Sequence, residues 1–215
     1  MALVCGATRG LGRAVAESLT HEGARVAVNG RDPATAPFPA DVTVPAQAEA
    51  LVHRVAKELG RLDVLFCNAG ITGRKGMTPG SFDFASWEEI LRVNLLGAAA
   101  VAEALLDNVA ASERRTIAMM SSRLGSIAES SGMTLPYATS KAALNMLVKG
   151  LAAALAERGI VVVALSPGWV RTDMGGAQAP LAPEKSVAGL RKVISGLKKT
   201  DSGKFLSHEG SEIPW

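Results

Sequence analysis

The chain has 215 residues, 48% of them hydrophobic and 20% charged, which excludes a disordered tail or a collagen-like repeat and suits one domain with one sizeable core. Its 23 basic against 20 acidic residues leave a net charge of +3, with only 4% aromatic residues. The basic residues are scattered, and the one dense group (Arg191, Lys192, Lys198, Lys199, Lys204) reads as a solvated surface, so no nucleic-acid partner is expected. No apolar run reaches the roughly 18 residues of a membrane span.

Apolar runs and helical patterns alternate along the chain. Ala2–Cys5 is a short apolar strand, and its position leaves no room for a leader peptide, predicting a cytoplasmic protein. A helix follows with Leu11, Val15 and Leu19 on one face. Arg25–Asn29 is a second strand and Phe38–Val42 a weak third; between them, three prolines in Arg31–Ala40 leave no room for a crossover helix. Helical spacing returns over Val44–Leu59, then a strand at Val64–Asn68, a long helix over Ser86–Val109 and a strand at Thr116–Ser121. Pro136–Arg158 is another long helix, Ile160–Ser166 a strand, Ser186–Leu197 a helix and Lys204–Leu206 a last strand. This alternation predicts a doubly wound α/β domain with a parallel sheet, Rossmann-like, spanning 1–215 as a single unit and lacking the helix after its second strand.

Between the first strand and its helix lies Gly6-Ala7-Thr8-Arg9-Gly10-Leu11-Gly12. Glycines there let the backbone approach a pyrophosphate, and the helix N-terminus offers free N–H groups. The second strand ends in Asn29-Gly30-Arg31, where a cofactor with a free ribose 2′-hydroxyl usually meets a carboxylate. Gly30 offers none, and Arg31 with Arg9 suits a 2′-phosphate, so NADP(H) is expected ahead of NAD(H).

The only tyrosine, Tyr137, stands four residues before Lys141, on one helical face. An ammonium roughly 4 Å from a phenol, at an effective dielectric near 20, favours the phenolate by about 4 kcal/mol. That amounts to about three pKa units, which predicts a tyrosine that works near neutral pH. Ser121 and Ser122 end the fifth strand, where a hydroxyl can donate to a developing oxyanion. Asn94 lies inside a predicted helix, either as a buried amide in a kink or as an anchor for a water path to Lys141. Cys5 and Cys67 are expected to end neighbouring strands as inert thiols, and the three histidines lack metal-ligand partners.

These motifs, together with Asn68-Ala69-Gly70 and Pro167-Gly168, occur in an order and spacing that resemble the short-chain dehydrogenase/reductases. Within that family the chain is most similar to the compact C-factor and sniffer-type carbonyl reductases, through residues 121–127, 167–176 and 213–215. The resemblance implies reduction of an aldehyde or ketone, with Tyr137 as acid/base, Lys141 lowering its pKa and holding the nicotinamide ribose, Ser122 orienting the carbonyl and Asn94 completing a proton relay. It further implies that Thr8, Asn68, Ala69 and Gly70 line the dinucleotide, Asp41 and Val42 flank the adenine, and Val170 and Thr172 meet the carboxamide beside Pro167-Gly168. A homodimer through the two long Ala-rich helices is expected on the same footing. Since some C-factor-like members are signals, a dinucleotide-binding sensor is the alternative.

Overall fold

The computed structural model describes residues 1–74 and 76–215. Seven strands form one parallel sheet: β1 (Ala2–Cys5), β2 (Val26–Gly30), β3 (Phe38–Pro39), β4 (Val64–Cys67), β5 (Thr116–Met120), β6 (Val161–Ser166) and β7 (Phe205–Ser207). Their order is β3-β2-β1-β4-β5-β6-β7, so the chain reverses direction across the sheet between β1 and β4. That switch point is where an open α/β sheet leaves a ligand crevice at its carboxyl edge.

The central strands are apolar without interruption because both faces are covered. Leu3, Cys5, Leu65, Ile117, Met119 and Val162 face one layer, and Val4, Phe66, Ala118, Met120 and Val163 the other. The first layer is made by α2 (Pro45–Leu59), α4 (Gly97–Ala104), α5 (Leu106–Ala110) and α6 (Leu135–Ala154), with α3 (Phe84–Leu91) leading into α4. The second is made by α1 (Gly10–His21) and α7 (Pro183–Gly196). Each fully buried Leu or Phe in these layers contributes about 1.5–3 kcal/mol.

Three local departures from the sequence pattern matter. The helix expected over Ser86–Val109 is broken: α3 runs into a π-helical turn at Arg92–Leu96 before α4 and α5 continue. The third strand shrinks to Phe38–Pro39, and Asn29 Nδ2 donates to the carbonyls of Phe38 (3.0 Å) and Ala40 (3.2 Å) beside it. The last long helix ends at Ala154, four residues before Arg158, in turns closed by Arg158 N to Leu155 O (3.1 Å) and Gly159 N to Ala156 O (2.9 Å). The link between β2 and β3 has no helix, as the prolines require.

After β7 the chain reverses. Ser207 N bonds Ser211 O and Ile213 N bonds Phe205 O, each at 2.8 Å, with Leu206 and Glu212 in an antiparallel bridge along the outer edge of β7.

Candidate active site

The glycine turn is shaped by contacts that leave no room for side chains. Gly6 has φ of +65°, and a Cβ there would stand 2.7 Å from Ala69 Cα. Asn68 Nδ2 donates to the carbonyls of Cys5 (3.2 Å) and Gly6 (3.1 Å), tying the turn to the end of β4. Buried Gly12 lies against the same amide. The N-terminus of α1 carries no side-chain cap, and Arg9 and Gly10 are exposed beside it, with half-buried Leu11 packing into the layer below. A turn with close backbone approaches at Gly6 and Gly12, opening onto uncapped N–H groups, fits a pyrophosphate.

On the adenine side, Gly30 is glycine because the Thr8 methyl occupies the space a Cβ would take. No carboxylate can stand there without displacing Thr8. Arg31 is exposed nearby. Asp41 accepts the amide (2.9 Å) and hydroxyl (2.7 Å) of Thr43. Burial, which favours its neutral form, is outweighed by these bonds and by the charges of Arg31 and Arg92, so its carboxyl is held below the usual range. Arg92, from the π-helical turn, is a cation on this side that the sequence did not single out. Two expected cofactor contacts turn inward instead. The buried side chain of Asn29 is consumed by β3, and Val42 is a core residue packed beside Gly97.

The chemistry side is denser. Asn94 is 1% exposed; its Oδ1 accepts Ile71 N (2.8 Å), and its Nδ2 donates to Ile71 O and Ser140 Oγ, both at 2.9 Å. Ser140 in turn donates to the Tyr137 carbonyl at 2.7 Å. These bonds fasten the π-helical turn to the first half of α6, and π turns of this kind recur at functional sites. Gly70 sits between the two, since a Cβ there would lie 3.3 Å from Asn94 Oδ1 and 3.5 Å from Lys141 Nζ.

The two serines separate cleanly. Ser121 is buried and donates to Asn145 Oδ1 at 2.6 Å, leaving its hydroxyl engaged. Ser122 is half-buried and caps the short turn Arg123–Gly125 by accepting Leu124 N; its hydroxyl acts to lower the Tyr137 phenol. Beyond β6, Ser186 Oγ holds the Pro167 carbonyl at 2.7 Å; Gly168 is exposed, Val170 is buried in a bridge with Leu181, and Thr172 accepts Gly175 N. Trp169 is pinned by its Nε1 to Gly175 O at 2.8 Å, yet remains 59% exposed, and Met133, Ile127 and Met174 also present apolar surface to solvent.

The expected charge pair is not what the structure holds. Lys141 is 3% exposed and donates to Met120 O at 2.7 Å, while its Nζ stands 5.7 Å from the Tyr137 ring centre. Burial pushes the Tyr137 phenol up to about 12, the Ser122 bond offsetting only part of the rise. Burial also pushes Lys141 down to about 8. The phenol is thus raised rather than lowered as the four-residue spacing predicts, because burial dominates and the Lys141 ammonium is engaged by the Met120 carbonyl. Cys5 and Cys67 are paired across β1 and β4, both buried; burial raises Cys5 to about 12 and Cys67 well above its ordinary value, with Cys5 adding to the latter.

The family model for short chain dehydrogenase matches residues 1–180. The chain belongs to the short-chain dehydrogenase family. As a member it is an oxidoreductase by descent, and its seven-stranded sheet is that of its relatives. The C-signal of Myxococcus xanthus is 41% identical over 157 residues, covering 73% of this chain and 94% of that one. Among solved structures, an NADPH-bound carbonyl reductase from chicken fatty liver matches with a TM-score of 0.92 at 32% identity, covering 100% of this chain and 98% of the other. The carbonyl reductase Sniffer of D. melanogaster matches with 0.93 at 29% identity and the same coverage.

Two site residues of this short-chain dehydrogenase were not evident from spacing alone. Ser140 and Asn145 are buried polar side chains on a helix otherwise rich in Ala and Leu, and that contrast was the available signal. The Met120 carbonyl that holds Lys141 has no sequence signature at all.

Proposed function

We propose that this chain is an NADP(H)-dependent reductase of aldehydes and ketones that runs in reverse as an alcohol dehydrogenase. The observation that carries the reading is the grouping of half-buried Tyr137, Lys141 buried one helical turn later on the Met120 carbonyl, and Ser122 capping the turn that leaves β5. When bound, a reduced nicotinamide would supply the hydride that the carbonyl carbon takes up. Tyr137 gives its proton to the carbonyl oxygen, which Ser122 orients by hydrogen bonding. Lys141, held by Met120 O, keeps a positive charge beneath the phenol as it becomes phenolate and offers donors to the nicotinamide ribose. Asn94 keeps the π-helical turn and α6 in register and completes the route by which the phenolate regains its proton.

Thr8, Asn68, Ala69 and Gly70 line the dinucleotide in this reading, the α1 N-terminus takes the pyrophosphate, and Arg9 and Arg31 grip the 2′-phosphate, with Asp41 at the adenine. Pro167, Gly168, Val170 and Thr172 meet the carboxamide. NADP(H) is preferred on Gly30, Thr8 and the two arginines, and the NADPH and NADP in neighbouring structures support the choice. The substrate is a small carbonyl compound, and residues 1–215 work as one cytoplasmic unit. No helix among the described residues is long and apolar enough to cross a membrane. A homodimer would cover Phe84, Leu96 and Met146, which are 73%, 59% and 72% exposed on α3, the π-helical turn and α6.

A second reading, a dinucleotide-binding signal or sensor, draws on the likeness to C-signal. Titration with NADPH and NADH, followed by nicotinamide fluorescence and then turnover on a carbonyl panel, separates the two. Tight NADPH with turnover supports the reductase; binding without turnover across the panel supports the sensor.

A further inference from the structure

The segment from Ser122 to Ala128 carries the proposed carbonyl-orienting hydroxyl at one end, and its other end is held from outside the site. Ala128 N donates to the carbonyl of Trp215 at 2.9 Å. The Trp215 indole stacks on Phe205 of β7, with ring centres 5.6 Å apart and planes 22° from parallel. Lys149 of α6 covers the indole with its Nζ 5.6 Å from the ring centre and reaches Gly203 O at 3.4 Å. Ile213, two residues earlier, is 1% exposed in the core and bonded to Phe205. The tail thus joins β7, the second half of α6 and the loop that leaves Ser122.

Along that loop the contacts continue inward. Gly125 lies against the backbone of Lys141, and its carbonyl accepts Asn145 Nδ2 at 3.1 Å. Arg123 N bonds Ser166 Oγ at 3.1 Å, and Ser126 Oγ accepts Glu129 N at 3.2 Å. The inner half of the loop therefore rests on α6 and β6. Its outer half is tied to the tail at Ala128, next to exposed Ile127 and Glu129.

We propose that Trp215 is a positioning residue: seated between Phe205 and Lys149, it fixes its carbonyl under Ala128 and thereby holds the Ser122–Ala128 loop on α6, and with it the position of Ser122. The proposal rests on the reading that Ser122 and Tyr137 act together on a carbonyl. Trp215 touches neither group; it acts through the loop.

The test uses wild type, Trp215→Ala and Trp215→Phe, the last keeping a ring on Phe205. In hydrogen–deuterium exchange on the purified proteins, peptides covering 122–131 should exchange about tenfold or more faster in Trp215→Ala, with β5 and β6 unchanged and Trp215→Phe near wild type. With NADPH and an aldehyde substrate, kcat should fall about 10- to 100-fold in Trp215→Ala while the KM for NADPH stays put, and Trp215→Phe should restore most of it. Unchanged exchange at 122–131, or equal loosening of β5 and β6, overturns the proposal, as does a loss shared equally by kcat and NADPH affinity. Wild-type protein inactive on every carbonyl would defeat the reductase reading alone, and the exchange arm would still decide whether Trp215 holds the loop.

Discussion

The two halves of the crevice are built on different physics. On the chemistry side, between β4 and β6, Asn94, Ser140, Asn145 and Lys141 are buried and every one has a partner within the protein. On the adenine side, between β1 and β3, the crossover helix is missing, the edge strand has two residues, and Arg9 and Arg31 stand in water. One half is held together by bonds within the protein. The other offers charge and open space, and its geometry is completed by what binds. The contrast teaches that catalytic precision and cofactor choice can be separated along one sheet, so substitutions on the two sides should fail in different assays.

The sharpest way to break this division is Tyr137→Phe. Turnover should fall by about 10²- to 10⁴-fold with NADPH affinity intact, checked by steady-state rates beside a fluorescence titration. Weakened cofactor binding in this variant would show that the halves are not independent. Next comes the double variant Arg9→Ala/Arg31→Ala. It should lose about 10- to 100-fold in NADPH affinity and little in NADH affinity, because charge-assisted bonds to a phosphate are worth about 1.5–3 kcal/mol. Equal losses for both nucleotides would remove the 2′-phosphate role. Asn94→Ala should destabilise the fold by about 1–3 kcal/mol in urea unfolding, since it strands the Ile71 amide and carbonyl in a buried site; stability equal to wild type would mean that water replaces the amide.

The smallest effect is a slope. Lys141 gives up its proton near pH 8 when folded, against 10.5 in its ordinary state. Between those values the unfolded chain binds the extra proton, so this residue makes stability rise with pH, by at most about 1.4 kcal/mol per pH unit. Tyr137 acts in the opposite sense from about 10 to about 12, where the folded protein keeps a proton that the unfolded chain has lost. Wild type measured against Lys141→Met by denaturant titration should therefore gain relative stability from pH 8 to 10. A flat difference would mean that the buried ammonium titrates normally.

Much of the molecule was legible in the residues. The apolar runs at β1, β4, β5 and β6 read directly because both sheet faces are buried, and the glycine turn and the Tyr137–Lys141 spacing identified the crevice. What escaped was set by single side chains bonded to distant backbone. The break in the long helix follows from Asn94 reaching Ile71, which no local propensity encodes. Asn29 and Val42 lie where cofactor contacts were expected, and both side chains are buried, Asn29 on the carbonyls of Phe38 and Ala40. The rise of the Tyr137 phenol was not legible because spacing gives a shared helix face and says nothing of burial, and the Lys141 ammonium bonds the Met120 carbonyl at the end of β5.

The reversal of the chain after β7 has a consequence for how copies of this protein can meet. A sheet's outermost strand offers unpaired backbone groups to any other strand that drifts past. Here the stretch from Ser207 to Ile213 already occupies those of β7, and the opposite border is a two-residue strand ending in proline. Neither border is a template for strand addition while the tail stays folded. Release of the stretch from Ser207 to Ile213 would expose the backbone groups of β7 to another strand.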